Sequence, residues 1–295
     1  MNQAPTTDDG AHRRRQVLDA AISTLTLAEV ASPRVDAELL LAHAWRIKRS
    51  QLIAHETVPA AIEADFEALV HRRAAREPLQ HLTGSAPFRH VEVAVGPGVF
   101  VPRPETEAMT GWVVDQLAEI ARVRKPIVVE LCAGSGAISM AILDEVPDAQ
   151  VHAIELDEGA YRWATRNLAG SGAVLALGDM ADAGSVWPHL LGACDVVVAN
   201  PPYIPMEAWE SVPPEVRDHD PALALWSDAD GLAATAVVAR VAAQLLHPGG
   251  LVASEHAEVQ AESAPQVFAR EGSFDQVRDH PDLTGRARYV TARRV

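Results

Sequence analysis

Cysteine and lysine are almost missing from this 295-residue chain. Its two cysteines, Cys132 and Cys194, sit inside apolar, strand-like runs and are too few for a disulfide framework, so a reducing cytoplasm is the expected setting. Lysine occurs only at Lys48 and Lys125; we read the arginine excess as codon bias and attach no function to it. No apolar run reaches the roughly 18–20 residues that a membrane span needs. Met1 to Gly10 is polar and acidic, and Arg13-Arg14-Arg15 has no apolar stretch behind it, so the start does not read as a secretory signal. A disordered start followed by a helix is expected there. Positive charge is also scarce where the motifs lie. Residues 1–90 hold 11 basic and 11 acidic side chains, whereas residues 91–295 hold 14 basic and 29 acidic, which accounts for the whole net charge of -15. Proteins that bind nucleic acid neutralise phosphates with lysine and arginine. The acidic second part therefore counts against direct nucleic-acid binding.

What is present is a core of ample size: 48% of the residues are hydrophobic, enough for two domains at this length. Residues 12–77 read as helical. Val17, Leu18, Ala21, Ile22 and Leu25 recur at helical spacing, and Ser32-Pro33 opens a second helix through Val35, Leu39 and Leu40 to Trp45. Ala60 to Arg76 forms a third, with Ile62, Phe66, Leu69 and Val70 on one face. Phe88 to Val95 then alternates, and Gly96-Pro97-Gly98 followed by Val99-Phe100-Val101 predicts a β-hairpin. A helix is expected from Glu105 to Val123.

Strands and helices alternate after that. Strands are predicted at Ile127–Leu131, Val151–Leu156, Val174–Leu177, Asp195–Ala199 and Leu251–Glu255, with two more near 274–279 and 287–292. The pattern implies an α/β fold, a mostly parallel sheet with helices on both faces. Ligands bind such sheets at the carboxyl ends of the strands. The expected domains are a helical bundle over 1–84, a hairpin linker over 85–103 and a catalytic domain over 104–295.

Three strand ends carry candidate cofactor residues. The first runs into Cys132-Ala133-Gly134-Ser135-Gly136, where glycines let backbone approach a ligand closely; a purely structural turn reads the same way. The second ends in Glu155, placed to accept both ribose hydroxyls of an adenosine ligand or to cap the next helix. The third ends in Asp179-Met180, which suits an adenine amine and ring, or again a helix cap. Together they point to an adenosine-type cofactor.

The fourth strand ends in Asn200-Pro201-Pro202-Tyr203, the most specific element of the chain. Two adjacent prolines remove two amide donors and leave carbonyls that only accept. The Asn200 side-chain oxygen and the Pro201 carbonyl could hold a planar NH2 group, with Tyr203 against its face, and Asn200 would also border the cofactor. Methyl transfer from a sulfonium to such a nitrogen needs orientation and electrostatics more than a strong acid. The sequence offers no obvious general base, and no histidine has metal-ligand spacing, so no metal is expected.

At this point the chain resembles the release-factor glutamine methyltransferases of the HemK/PrmC type. The resemblance rests on Arg76-Glu77-Pro78-Leu79-Gln80-His81-Leu82-Thr83-Gly84, Val101-Pro102-Arg103-Pro104-Glu105-Thr106-Glu107, the glycine turn, Asn200-Pro201-Pro202-Tyr203, Pro248-Gly249-Gly250 and Glu255-His256. It implies a Rossmann-like class I methyltransferase domain with a seven-stranded sheet and S-adenosylmethionine as cofactor. It further implies transfer to the glutamine of the Gly-Gly-Gln motif in class I peptide chain release factors, with Arg103 and Glu105 as candidate substrate contacts. A monomer is expected. Cys132 stands where the family usually has a glycine, and Asp179-Met180 where it often has Asp-Trp or Asp-Leu. The alternative is an exocyclic-amine methyltransferase of nucleic acids, which shares the Asn-Pro-Pro-Tyr element.

Overall fold

The structure, a computed structural model, describes residues 8–228 and 230–295. Most of the expected disordered start lies outside them, and Asp8 to Gly10 already belong to the first helix. Two compact units divide the chain: Met1–Gly84 with Pro214–His219, and Ser85–Pro213 with Asp220–Val295.

The first unit contains helices α1 (Asp8–Leu27), α2 (Pro33–Trp45), α3 (Ala60–Ala74) and α4 (Leu79–Thr83). Its core is Leu25, Leu40, Leu41, Phe66, Val70 and Leu82. The predicted helical faces thus point inward, except at Val35, which is exposed. Ser32 occupies the N-cap of α2 without a side-chain cap bond; Pro33 supplies the start through its fixed φ. Arg73, buried on α3, donates to Asp36 at 2.8 Å and to Glu215 at 3.0 Å, and Arg76 donates to both oxygens of Glu215. Residues 214–219 are held in this unit by that cluster.

The second unit begins with a hairpin, β1 (Ser85–Phe88) and β2 (Val91–Ala94), in which Phe88 pairs with Val91. The expected hairpin over 88–101 is therefore displaced. The turn is Arg89-His90, not Gly96-Pro97-Gly98, and Val99–Val101 forms no strand although Val99 and Val101 are fully buried. A two-residue hairpin turn needs positive φ, and Arg89 adopts φ 51. Its guanidinium is fixed by Glu145 at 2.6 and 2.8 Å and by the Glu107 carbonyl at 3.1 Å.

Then follow α5 (Pro104–Ala121), β3 (Ile127–Leu131), α6 (Ala137–Glu145), β4 (Gln150–Glu155), α7 (Glu158–Asn167), β5 (Val174–Leu177) and β6 (Cys194–Ala199). The unpredicted short pair β7 (Ile204–Pro205) and β8 (Trp226–Ser227) precedes α8 (Ala233–Leu245), β9 (Leu246–Glu255), α9 (Ser263–Glu271), β10 (Phe274–Pro281) and β11 (Ala287–Arg294). Seven strands form one sheet in the order β10-β11-β9-β6-β3-β4-β5, parallel except for β11, which runs antiparallel to its neighbours β10 and β9.

Alternate side chains feed two cores. Val128, Val196 and Val198 lie in one, Val129, Val197 and Ala199 in the other. Burial on both faces explains why these strands read as unbroken β-branched runs. The chain order reverses between β3 and β6, so the crevice at their carboxyl ends is the topological switch point. At the opposite end of β6, buried Asp195 accepts from the Ile127 amide at 2.8 Å, from Arg124 and from His247 at 3.1 Å. Asp195→Ala leaves the half-buried Ile127 amide without its acceptor and should cost about 1 kcal/mol of stability. Urea unfolding measures it, and an unchanged midpoint contradicts the assignment.

Candidate active site

The turn after β3 has a cysteine, not a glycine, at its first position. Cys132 takes φ 59 and Gly134 φ 55, and Gly136 follows at φ 78. A β-carbon in the left-handed region costs roughly 1–2 kcal/mol. The strained residue is pinned on both sides of the turn. The Ala133 amide donates to the Ile154 carbonyl at 3.0 Å, and Asn167 donates to the Ser135 carbonyl at 2.9 Å. Cys132 Sγ also meets Met180 Sδ at 3.4 Å, so the two departures from the family pattern touch one another. Burial, with Glu155, Glu130 and Asp179 nearby, pushes the Cys132 thiol up, and it stays neutral at physiological pH. A β-carbon built on Gly134 would meet nothing within 4 Å, so the turn borders open space.

Carboxylates tie these strand ends together. Glu130 on β3 is buried and accepts from the amide of Ser139 at 3.0 Å and from its hydroxyl, which holds the start of α6 against the strand. Burial pushes Glu130 up to about 8. Glu155 at the tip of β4 accepts from the Gly134 amide at 2.7 Å and the Asp157 amide at 2.8 Å. Burial raises its pKa against the pull of those two amides. Asp157, not Glu155, caps α7 by accepting from Ala160. Asp179 is exposed and caps the turn that starts at Met180, accepting from Ala181 at 2.8 Å.

Asn200 stands at the end of β6, beside the Cys132 turn, because Leu131 and Ala199 are register partners. Its Nδ2 donates to Thr106 Oγ1 at 3.3 Å. Tyr203 Oη donates to Glu255 Oε1 at 3.0 Å, and its carbonyl accepts from Gln260 at 3.2 Å. Gln260 also reaches the Asp230 carbonyl at 3.0 Å. Glu255, at the tip of β9, is 1% exposed. Burial pushes it up to about 7 while the Thr106 and Tyr203 hydroxyls pull the other way. Thr106, Glu255 and Gln260 were not singled out from sequence. The first two lie in motifs quoted above, but their bonds run to residues 94 and 52 positions away.

Arg103 is engaged within the protein. It donates to Asp220 at 2.7 Å and lies over the Phe100 ring at 4.9 Å. Asp220 is buried, and its pKa rises to about 6 through burial. Glu105 sits half-buried in the first turn of α5. Between β6 and α8, Trp209 and Trp226 stack at 5.1 Å, with Trp209 partly exposed. Among the described residues no group of three or more His, Cys, Asp or Glu is placed to hold a metal ion, and no helix is long and apolar enough to cross a membrane.

The arrangement leaves hydrogen-bond acceptors at one strand tip and an open turn at the next. Two outcomes follow. A β-carbon on Gly231 (φ 73) would lie 2.4 Å from the Tyr203 carbonyl oxygen, so Gly231→Ala must displace Tyr203 and should lower both thermal stability and turnover; melting and initial rates measure it. Glu130 and Glu255 bind protons more tightly folded than unfolded. Their stabilising effect is complete below the ordinary value of 4.5 and is lost as pH rises through about 7 for Glu255 and about 8 for Glu130. The urea midpoint should fall over that interval, whereas a midpoint that climbs there would rule the pair out as buried acids.

A family model described as the PrmC N-terminal domain matches residues 16–84, and one described as the methyltransferase small domain matches residues 90–211. The release factor glutamine methyltransferase of Streptomyces coelicolor is 50% identical over 93% of this chain and 96% of its own length. That of Mycolicibacterium smegmatis is 42% identical over 96% and 98%. A 4-amino-L-phenylalanine/4-methylamino-L-phenylalanine methyltransferase of Streptomyces pristinaespiralis is 39% identical over 90% of each chain. The solved catalytic domain of hMettl16, in complex with the MAT2A 3'UTR hairpin 6, shares the fold at TM-score 0.51 and 12% identity, over 68% of this chain and 74% of that one. With half its residues shared across almost the full length of a curated member, this chain belongs to the release factor glutamine methyltransferase family.

Proposed function

We infer that this chain methylates the side-chain amide nitrogen of the glutamine in the Gly-Gly-Gln motif of class I peptide chain release factors, using S-adenosylmethionine. One observation carries the acceptor chemistry. Asn200 spends its Nδ2 on Thr106 Oγ1, which leaves Oδ1 to accept, and the next two residues are prolines without an N–H. An amide NH2 needs two acceptors to hold it flat against a methyl donor, and the Asn200 oxygen with the Pro201 carbonyl supplies them. Pro202 keeps the strand exit rigid, and Tyr203, fixed through Glu255, forms the wall beside the amide.

S-adenosylmethionine supplies an electrophilic methyl on a sulfonium and leaves as the neutral thioether of S-adenosylhomocysteine. The residues at the strand tips fit it. The turn Cys132, Ala133, Gly134, Ser135, Gly136 borders open space at Gly134. Glu155 uses one lone pair of each oxygen on Gly134 and Asp157, and each oxygen keeps another for a ribose hydroxyl. Asp179 and Met180 suit the adenine edge and ring, and Asn200 borders the transferred methyl. Because an amide lone pair is delocalised, the protein's contribution is orientation and a polar site set in advance; the surplus N–H proton leaves after transfer.

Arg103, occupied by Asp220, braces the segment after Tyr203, while Glu105 is the candidate contact to the release factor. The helical unit and the hairpin serve to dock that substrate. We take the enzyme to act as a monomer in the cytoplasm, without a metal. Mass spectrometry of a release factor incubated with enzyme and cofactor should show one added methyl on the Gly-Gly-Gln peptide. An unmodified peptide from folded, cofactor-bound enzyme sinks the assignment. Asn200→Ala should lower kcat by on the order of 10²–10³-fold with cofactor affinity nearly unchanged. Equal loss of both would make Asn200 a part of the cofactor pocket alone.

A further inference from the structure

The clamp of Asn200 works only if the amide presents its oxygen, not its NH2, to the acceptor. Nothing in the shape of an amide enforces that choice; its hydrogen bonds must. Thr106, 4% exposed on α5, is the partner that Asn200 Nδ2 reaches. A threonine hydroxyl has one proton to give and lone pairs to receive. Which of these it turns to Asn200 depends on what lies on its other side.

On that side lies Glu255. Its Oε1 accepts from Tyr203 Oη at 3.0 Å, its Oε2 holds no hydrogen bond of standard geometry, and the Thr106 hydroxyl stands beside the carboxyl. The charged and titratable groups facing it are Glu105 from α5, Tyr203 from the tip of β6 and Arg288 from β11. Arg288 favours the ionised carboxyl; Glu105 and burial oppose it. His256, next in the chain, is turned to Asp279 at 2.9 Å.

We propose that Glu255 is a positioning residue that sets the polarity of the acceptor clamp: its carboxylate accepts from the Thr106 and Tyr203 hydroxyls, forces Thr106 to accept from Asn200 Nδ2, and so turns Asn200 Oδ1 to the substrate amide. An ionised carboxylate can only accept, so both hydroxyl protons are committed to it. The Thr106 oxygen then faces Asn200 with lone pairs alone, and an amide flip would set oxygen against oxygen. A protonated Glu255 can donate to Thr106, whose proton then points at Asn200 and favours the flipped amide. NH2 would face NH2, and the clamp would repel its substrate.

This inference rests on the proposed function for its kinetic arm but not for its spectroscopic one. With the full chain, kcat should rise about tenfold per pH unit up to about 7 and then level. Glu255→Gln, which restores a donor in place of the carboxylate, should lower kcat at least tenfold and abolish that limb, with the Kd for S-adenosylmethionine within twofold. Thr106→Val should cost a similar factor, and Thr106→Ser, which returns the hydroxyl, should recover most of it. The double variant Glu255→Gln/Thr106→Val should lose no more than either single one, because both break one chain of bonds. Independently of any methyl acceptor, the carboxyl of Glu255, followed by carbon-13 NMR, should titrate higher in Thr106→Val and in Tyr203→Phe, since each removes a donor to the ionised form. Unmoved titration in both variants overturns the inference, as does a Glu255→Gln enzyme with wild-type kcat and pH limb. A wild-type enzyme that leaves release factors unmodified while the titration shifts as stated removes the proposed function and leaves the polarity argument standing.

Discussion

A carboxyl buried near the tip of a strand gathers hydrogen bonds from the elements beside it, and such acids organise the working end of the sheet. Glu155 and Glu255 each close a strand of the sheet, Glu130 stands one residue before the end of β3, and each accepts from an N–H or O–H of a neighbouring element. Glu155 joins the end of β4 to the turn after β3 through the Gly134 amide. Glu255 joins the end of β9 to the element after β6 through Tyr203. The strands of a parallel sheet end in loops whose backbone donors have no ladder partner. Acids at the tips satisfy those donors and register one loop against the next to within a hydrogen bond's tolerance.

The arrangement carries a cost with a definite direction. Burial raises the pKa of Glu130, Glu155 and Glu255, so the fold would be more stable with these acids protonated. The chemistry asks for the opposite at Glu255, where only the ionised form holds both hydroxyl protons. Stability and activity therefore pull apart over the same pH range, the pattern expected where a site is kept in a form the fold alone would not choose. Arg288 is placed to tilt the balance at Glu255 towards the charge.

Much of this was legible in the sequence, for physical reasons that differ from element to element. Ile127–Leu131 matches the structure residue for residue, because a strand buried on both faces allows little besides β-branched and aliphatic side chains; Val174–Leu177 matches as well, although it is the half-exposed edge strand of the sheet. The hairpin was misplaced because Gly96-Pro97-Gly98 has the composition of a turn, whereas Arg89 acquires its positive φ from Glu145 and the Glu107 carbonyl, which no local pattern reveals. The short pair β7 and β8 spans two residues each, below any periodicity. Asn200 and Glu155 stand at the strand ends where the sequence places them. Thr106 and Glu255 could not be given roles, since a threonine in a helix and an acid in a strand become a relay only when the fold sets them beside Tyr203 and Asn200.

The two departures at the cofactor end make sense as one feature. A glycine after β3 would reach φ 59 without penalty, and Cys132 does not. Its side chain, however, points to Met180 Sδ at 3.4 Å, and Met180 stands where larger or branched residues are usual in the family. An unbranched thioether is adaptable enough to make room for a thiol that a tryptophan ring would crowd. The strain at the first strand tip is thus tolerated because the third has given way. The turn itself is held by Glu155 and by the Ile154 carbonyl.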